Sequence, residues 1–215
     1  RRMGVQVVAP AGQVCCGTPA ISFGEAVALE RVREINAAVF GASGVDVVIT
    51  PCATCGSALK HESAWGNGPP PVMDALEFIA KEGRGILDNL GATAARSGIT
   101  TYHDPCHMLY GQGLSAQPRE ILNRCAELVE MEGRGTCCGG GGTFEVFFPE
   151  LSQRITQRKV AAILATGAKT VATACPGCIL HINSALESAG SDCLARHVIE
   201  LLDESLSRAG ETSDA

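Results

Sequence analysis

Cysteine is the residue type through which this chain is most able to do chemistry. Of its eleven cysteines, eight fall in two kinds of short motif. Cys-Cys-Gly stands at residues 15–17 and 137–139, and Cys-x-x-Cys stands at residues 52–55 and 175–178. Neighbouring cysteines rarely reach the geometry of a disulfide with each other, and the glycine run 139–142 lets the backbone approach a bound object closely. This pattern indicates thiolates that bind a sizeable group.

The overall composition limits which kind of group the thiolates bind and in which cellular compartment the protein is expected. Hydrophobic residues make up 46% of the chain and charged residues 19%, as in ordinary globular proteins. The net charge of −6 without a basic block argues against nucleic-acid binding. The sequence shows no signal-peptide pattern and no apolar run of about 18 residues, so we expect no transmembrane segment of its own. In a reducing cytoplasmic location, the cysteines are expected to be metal or cluster ligands.

Each cysteine motif follows a segment that the sequence predicts to be a strand. The predicted strands cover residues 5–8, 45–50, 99–102, 128–131 and 170–173. The predicted helices cover residues 23–40, 52–63, 72–80, 86–90, 117–125, 149–166, 178–189 and 196–208. This alternation predicts an α/β fold with short parallel sheets. Because loops at the carboxyl ends of parallel strands converge at one edge of their sheet, we expect motifs that follow strands of the same sheet to meet there.

The two halves of the chain repeat this plan. Cys16 and Cys52 are 36 positions apart, and Cys138 and Cys175 are 37 positions apart. Such spacing predicts an internal duplication. The Pro- and Gly-rich cluster before residue 72 is the clearest chain breaker. The sequence therefore predicts two tandem, pseudo-repeated units, over 1–71 and 72–215, each with a small parallel sheet flanked by helices.

The second unit brings five thiols to its predicted sheet edge. They belong to Cys106, Cys137, Cys138, Cys175 and Cys178. A tetrahedral zinc site takes four ligands, and so does a cubane iron–sulfur cluster. Five thiols that include a vicinal pair favour a larger, unusual iron–sulfur assembly. A cysteine-rich zinc site or simple buried cysteines are the alternatives.

The first unit offers four thiols in the same pattern. They belong to Cys15, Cys16, Cys52 and Cys55. The interval of 31 positions between Cys106 and Cys137 would place the missing fifth cysteine ahead of Arg1. We therefore expect the first unit to be N-terminally incomplete, or else to form a four-cysteine site of another kind.

These motifs resemble those of the cysteine-rich CCG domain family over essentially the whole chain. That family includes the B and D subunits of heterodisulfide reductase. It also includes the iron–sulfur subunits of glycolate oxidase, lactate-utilisation and anaerobic glycerol-3-phosphate dehydrogenase systems. Residues 102–107, 112–113 and 117–119 are most similar to the glycolate and lactate subunits. The retained Cys175 and the run 137–142 are more similar to heterodisulfide reductase.

The resemblance implies a cofactor and a role. It implies a noncubane [4Fe-4S] cluster on the five cysteines of the second unit, and a second cluster or zinc on the first. The chain would then relay electrons from a flavoprotein subunit that carries FAD and oxidises a 2-hydroxy acid. Ferredoxin-type subunits and a membrane quinone-reactive subunit are further expected partners, through which a cytoplasmic protein would lie on the membrane. The alternatives are a catalytic subunit that reduces a disulfide at the noncubane cluster, and a zinc-stabilised interaction module.

Two histidines flank a candidate ligand. His103 and His107 lie on either side of Cys106, where they are candidates to hydrogen-bond to a cluster or to move a proton. The alternative for each is a loop-capping role. Asp104 is expected to cap the helix after the strand.

Other polar and sulfur-containing residues receive structural interpretations. Cys125 lies on a predicted helix and is interpreted as a small buried hydrophobic residue, and Cys193 lies outside the motifs. His61 and His181 are interpreted as helix-surface or packing residues. No Lys-Ser or Lys-Thr follows the glycine run, so nucleotide binding is not expected there.

Overall fold

Two parallel β-sheets carry the cysteine motifs in the computed structural model of this protein, which describes residues 2–60, 70–93 and 97–213. The first sheet contains β1 (Val48–Thr50) and β2 (Val72–Asp74). The second sheet has the strand order β4-β3-β5-β6. Its strands are β3 (Ser97–Tyr102), β4 (Ala126–Leu128), β5 (Thr170–Thr173) and β6 (Leu194–His197). All pairings are parallel, which confirms the predicted α/β class.

Helices connect these strands and flank the sheets. In chain order they are α1 (Thr18–Phe23), α2 (Ala26–Gly41), α3 (Ala53–Lys60), α4 (Ala75–Glu82), α5 (Arg84–Thr93), α6 (Cys106–Leu109), α7 (Ala116–Cys125), α8 (Phe144–Phe147), α9 (Pro149–Ala165), α10 (Pro176–Ser188) and α11 (Val198–Ser213). N–H groups in the first turn of a helix have no partner within the helix, so proline, which lacks this group, is favoured there. Both α9 and α10 begin with a proline. No helix in the described ranges is long and apolar enough to cross a membrane.

The predicted repeat is visible in the connections between strands. In the first sheet the chain runs from β1 through α3 to β2, and in the second it runs from β5 through α10 to β6. Both helices begin within a Cys-x-x-Cys motif. The two halves therefore position this motif in the same way, at the carboxyl end of a strand.

Two short strands replace the starts of predicted helices. Residues 72–74 form β2 because Val72 pairs with Val48 of the first sheet, so the expected helix over 72–80 is wrong at its start. Likewise β6 pairs with β5, and the helix expected from residue 196 begins only at Val198. Since β2 completes the first sheet, we propose that the units divide after Asp74 rather than after residue 71.

Two further predictions of strands need correction. The apolar run 5–8 forms no strand: it pairs with none of the described strands, and Val7 is 73% exposed. The strand expected over 128–131 is β4, which pairs with β3 at Ala126–Leu128. The helix expected over 52–63 is described as far as Lys60, and His61 lies outside the described residues.

Among the described residues, one hydrophobic core supports both sheets. With only 4% aromatic residues, it is built mainly from aliphatic side chains, as Leu76, Ile121 and Ile163 illustrate. Tyr102 of β3 is completely buried among them, and its hydroxyl donates to the Met108 sulfur at 3.4 Å. Burial of one such aliphatic side chain contributes about 1.5–3 kcal/mol. The core therefore fixes the strand ends from which the cysteine loops extend.

Candidate metal centre

One cavity at the carboxyl ends of the strands contains the eight motif cysteines and Cys106. Its volume is about 900 Å³. The thiols that line it belong to Cys15, Cys16, Cys52, Cys55, Cys106, Cys137, Cys138, Cys175 and Cys178. The sequence predicts convergence within the second unit, but not that both units share one cavity. That these residues bind a metal stays a prediction.

Local structure explains how each motif reaches the cavity. Cys175 is the N-cap residue of α10, and Cys178 lies one turn further on the same helical face. Cys52 and Cys55 have the equivalent places around the start of α3. The Cys-Cys-Gly loops turn instead at a glycine with positive φ, 91° at Gly17 and 101° at Gly139.

The five thiols of the second unit form a continuous set of contacts. Cys138 Sγ lies 3.6 Å from Cys178 Sγ. Cys137 contacts both Cys106 and Cys138, and Cys175 contacts Cys178. The structure thus brings together every cysteine that the sequence assigns to the second site.

These contacts shift the pKa values of the thiols in opposite directions. Hydrogen bonds from Cys106 and Cys138 lower the pKa of Cys137 to about 2, and the same contact with Cys137 raises the pKa of Cys106. A hydrogen bond from Cys178 lowers the pKa of Cys175, whereas contacts with Cys138 and Cys175 raise the pKa of Cys178. Each thiolate makes its neighbour retain a proton. Ionising the whole set requires a compensating positive charge, which a bound metal supplies.

The thiols of the first unit continue the same series. A hydrogen bond from Cys55 lowers the pKa of Cys16 to about 5, and this contact raises the pKa of Cys55. Cys52 contacts Cys55 on one side and Cys175 of the second unit on the other. Cys15 is exposed beside Cys16. The contact between Cys52 and Cys175 therefore joins the two groups of thiols.

The first two glycines of the run after Cys138 allow neighbouring helices to pack against this loop. A Cβ atom on Gly139 would lie 2.3 Å from Thr156 Oγ1 and 2.8 Å from the Ser152 carbonyl oxygen. A Cβ atom on Gly140 would lie 2.4 Å from Cγ of His181. Gly141, by contrast, has open space around it. Close packing of α9 and α10 therefore requires glycine at positions 139 and 140.

Side chains of α9 bond to the backbone of this loop, and His181 of α10 bonds to one of them. Thr156 Oγ1 lies 3.0 Å from the Cys138 carbonyl oxygen and 2.8 Å from His181 Nε2. Ser152 Oγ donates to the Gly139 carbonyl oxygen at 2.9 Å. His181, interpreted from sequence as a surface or packing residue, is thus part of the support of the loop. No sequence motif marks Ser152 or Thr156, because only the packing of α9 brings them to the loop.

His103 is buried against the thiols of the second unit. It is completely inaccessible to solvent, and one of its ring nitrogens lies within 4.8 Å of the sulfur atoms of Cys138 and Cys178. Burial, together with the positive charge of Lys159, lowers the pKa of His103 to about 4. The imidazole is therefore neutral at physiological pH.

His107 has a different environment, on the exposed side of the cavity. Its Nδ1 lies 3.1 Å from Thr54 Oγ1, which in turn lies 3.5 Å from Cys175 Sγ. Thr54 belongs to the first unit, so this contact is a second link between the units. Sequence reasoning missed Thr54, although it stands inside a Cys-x-x-Cys motif.

Asp104 does not cap the helix that follows. The N-cap residue of α6 is Pro105, without a side-chain cap. The Asp104 carboxylate instead accepts two hydrogen bonds from Arg119, at 2.8 and 2.7 Å, in a mostly buried ion pair. Arg119 also bonds to Glu130 and lies over the ring of Tyr102 at 5.0 Å. This network fixes the loop between β3 and Cys106.

Cys125 and Cys193, unlike the other nine cysteines, do not line the cavity. Cys125 is completely buried in α7, in agreement with its interpretation as a small hydrophobic residue. Cys193 is also buried. All eleven cysteines lie in described parts of the chain and are free thiols.

Several known proteins are similar to this chain along most of its length. The B subunit of the fumarate reductase (CoM/CoB) of Methanothermobacter marburgensis is 38% identical over 206 residues, which cover 94% of this chain and 41% of that protein. Lactate utilization protein A of Bacillus cereus is 29% identical over 215 residues, covering 94% of this chain and 87% of that protein. A probable glycolate oxidase iron-sulfur subunit of Bacillus subtilis is 30% identical over 213 residues, covering 94% of this chain and 48% of that protein. The chain spans about two fifths of the length of the first of these relatives.

A family model agrees with the repeat seen in sequence and structure. The model described as the cysteine-rich domain, CCG, matches residues 1–60 and 100–183. Both matched regions contain a Cys-Cys-Gly loop and a Cys-x-x-Cys motif, and together they cover more than half of the chain. The chain therefore belongs to the cysteine-rich CCG domain family.

Proposed function

We propose that this chain is an iron–sulfur redox unit that relays electrons within an oxidoreductase complex. The cysteines of the second unit would bind a noncubane [4Fe-4S] cluster. The cysteines of the first unit would bind a second iron–sulfur cluster or zinc. When bound, such a cluster supplies the capacity to accept and release single electrons.

The single observation that carries this proposal is the continuous series of thiols in one cavity. Nine thiols line a volume of about 900 Å³, more than the four ligands of one zinc ion or one cubane cluster. Contact between Cys52 and Cys175 leaves no protein layer between the two groups. This arrangement favours two adjacent polynuclear centres over two separate structural zinc ions.

Protein groups around the cavity are suited to stabilise the negative charge of thiolates. The Gly139 N–H donates to Cys137 Sγ at 3.3 Å, and hydrogen bonds to sulfur are one way in which a protein sets the potential of a cluster. Thr54 Oγ1 is within reach of Cys175 Sγ. Lys159 places a buried positive charge behind the loop that carries Cys137.

The names of the relatives support a place in a larger complex. One relative is a subunit of a fumarate reductase, and another is a probable glycolate oxidase iron-sulfur subunit. We propose that a flavoprotein with FAD, of the glycolate or lactate type, donates the electrons. A ferredoxin-type chain is the alternative donor. A quinone-reactive membrane subunit would accept the electrons, which would place the protein in the cytoplasm or at the cytoplasmic face of the membrane.

Electron uptake by the purified protein tests the relay. Protein prepared without oxygen should bleach its visible absorption when an artificial one-electron donor is added, and should recover it when an oxidised dye is added. A colourless protein that takes up no electrons, or one that carries zinc without acid-labile sulfide, would contradict the proposal and favour a zinc-stabilised interaction module.

A second candidate function is the reduction of a disulfide in the cavity. The observation in its favour is that the thiols of both units face one space, which is lined by glycines 140–142 and by the small side chains of Thr54 and Ser57. In such a reaction two electrons and two protons would convert one disulfide into two thiols. Thiol release from a low-molecular-weight disulfide, driven by an artificial donor, would favour this function. A reduced protein that transfers electrons to a dye but releases no thiol would favour the relay.

A further inference from the structure

Two buried histidines of the second unit have opposite hydrogen-bonding environments. His197 of β6 has both ring nitrogens partnered, Nε2 at 2.8 Å from the Pro51 carbonyl oxygen and Nδ1 accepting from the Ile199 N–H at 3.1 Å. His103 is fully buried, yet neither of its ring nitrogens has a hydrogen-bond partner within the described ranges. Buried polar atoms are nearly always partnered in folded proteins. The unpartnered imidazole of His103 therefore points to a group that the polypeptide itself does not supply.

The neighbours of His103 show on which side this group must lie. The carboxylate of Asp104 is engaged by both terminal nitrogens of Arg119. The ammonium of Lys159 has three acceptors, the Met131 sulfur and two carbonyl oxygens of the loop at residues 133–134. Two thiols also lie close to the ring. Those of Cys138 and Cys178 have sulfur atoms within 4.8 Å of a ring nitrogen, and both line the cavity.

We propose that His103 donates a ring N–H to a sulfur atom of the metal centre bound by the second unit, and so raises its reduction potential. This inference rests on the proposed iron–sulfur function. The sulfur is either a cysteine thiolate or an inorganic sulfide next to Cys138 and Cys178. His103 acts here as a positioning and tuning residue and not as a ligand.

The structure favours a hydrogen bond over direct coordination. A histidine that binds a metal nearly always donates its other N–H to a carboxylate, carbonyl oxygen or water. Neither nitrogen of His103 has such a protein partner in the parts of the chain that the structure describes. The five cysteines of the unit also supply a full set of ligands without it. If the ring N–H donates to sulfur, only the lone pair of the other ring nitrogen is unpartnered. If a ring nitrogen binds the metal instead, the N–H is unpartnered, which is more costly.

The effect on the potential follows from charge. Reduction adds an electron to the centre, and much of the added negative charge is carried by sulfur. An N–H that points at sulfur stabilises the reduced form more than the oxidised form, so the potential rises. Removing the donor while the cysteines remain should therefore make the centre harder to reduce.

Redox titration of three variants tests the inference. Iron and acid-labile sulfide are first measured in the wild-type protein, since their absence would overturn the proposed function itself. Given a wild-type iron content, His103→Leu should lower the equilibrium constant for reduction about tenfold. This corresponds to a reduction potential lower by about 59 mV for one electron. His103→Gln retains an N–H donor and should show a smaller shift. His197→Gln removes a buried histidine with protein partners and should leave the potential unchanged.

A spectroscopic measurement on the unmutated protein keeps the test independent of folding. With ¹⁵N-labelled histidine, pulsed electron paramagnetic resonance should show one weakly coupled nitrogen, as expected for an N–H donor to sulfur. Strong coupling typical of a directly bound nitrogen would overturn the inference. A His103→Leu protein with wild-type iron content and wild-type potential would overturn it as well. If His103→Leu does not fold, the nitrogen coupling of the labelled wild type and the potential of His103→Gln decide whether the inference holds.

Discussion

The two units place the same cysteine motif on sheets of different completeness. Cys175 follows β5, which has β3 on one side and β6 on the other. Cys52 follows β1, which pairs only with β2 among the described strands. The last three residues of β5 are buried, whereas in β1 only Thr50 is. The same loop is therefore attached to a central strand in one unit and to an edge strand in the other.

This difference is reflected in the burial of the thiols. In the second unit Cys138, Cys175 and Cys178 are buried, whereas Cys15 of the first unit is exposed. The remaining three thiols of the first unit are half-buried. Motif spacing thus places the thiols together, but the surrounding sheet decides how far they are removed from water. We expect the second unit to bind its centre more firmly than the first.

The largest effect should come from removing one equivalent cysteine from each unit. Cys178→Ala removes a thiol that contacts two others in the buried set, so the second unit should lose all its iron. Cys55→Ala should release only the metal of the first unit, whether iron or zinc. Iron and zinc per chain after anaerobic purification measure both effects. Cys125→Ala, outside the cavity, is the control and should retain wild-type iron. Loss of all iron in Cys55→Ala would show that the two groups form one indivisible centre.

The glycine of each Cys-Cys-Gly loop offers the next comparison. Both have positive φ, so alanine costs about 1–2 kcal/mol at either position. At Gly17 the new Cβ meets the flexible side chain of Leu29, whereas at Gly139 it meets the backbone of Ser152. Gly139→Ala should therefore lower the free energy of unfolding by about 3–5 kcal/mol and Gly17→Ala by clearly less. Urea denaturation checks this. Gly141→Ala, in open space, is the control, and a larger loss in Gly17→Ala would contradict the account.

The second unit has a mostly buried ion pair, between Asp104 and Arg119, beside the loop that carries Cys106. Arg119→Gln leaves the buried Asp104 carboxylate without its cation, and loss of one partner of a buried pair costs about 3–4 kcal/mol. Arg196→Gln is a matched control, because Arg196 also bonds two carboxylates but at a more exposed site. Arg196→Gln should lower the free energy of unfolding by less than about 1 kcal/mol. Equal losses in the two variants would mean that the Asp104 pair does not stabilise the loop.

The smallest effect concerns Asp74, at the junction of the two units. It caps α4 through a hydrogen bond from Leu76 N–H, and burial raises the pKa of its carboxyl group to about 6 from the ordinary 3.8. The neutral form is thus favoured in the folded state, so this contribution to stability is present below pH 4 and is lost as the pH rises through 6. Relative to Asp74→Asn, the wild type should lose about 2–3 kcal/mol between pH 4 and 7. Parallel stability curves for the two proteins over this range would contradict the raised pKa.

The positions of the ligand loops could be read from the sequence, but their supports could not. Short loops separate the strands before Cys106 and Cys175 from the helices that follow, and these loops lie where parallel strands end. In contrast, β2 and β6 are three or four residues long and directly precede helices, so only their pairing with β1 and β5 defines them. The apolar run at 5–8 shows the reverse case, in which a strand pattern forms no strand.

The same distinction applies to the site. Cysteine spacing identifies the thiols because metal ligands recur at fixed intervals within a motif. His103 could be noticed only as a neighbour of Cys106, and its unpartnered nitrogens are a property of the folded core. Contacts such as that between Cys52 and Cys175 join residues 123 positions apart. No local pattern encodes a contact of this kind, which depends on how the two sheets pack.

The most direct test of the central claim is the metal and sulfide content of the protein purified without oxygen. If the thiols of the shared cavity bind adjacent iron–sulfur centres, the chain should contain iron and acid-labile sulfide in similar amounts, with at most one zinc in the first unit. Zinc as the principal metal, without acid-labile sulfide, would contradict the account.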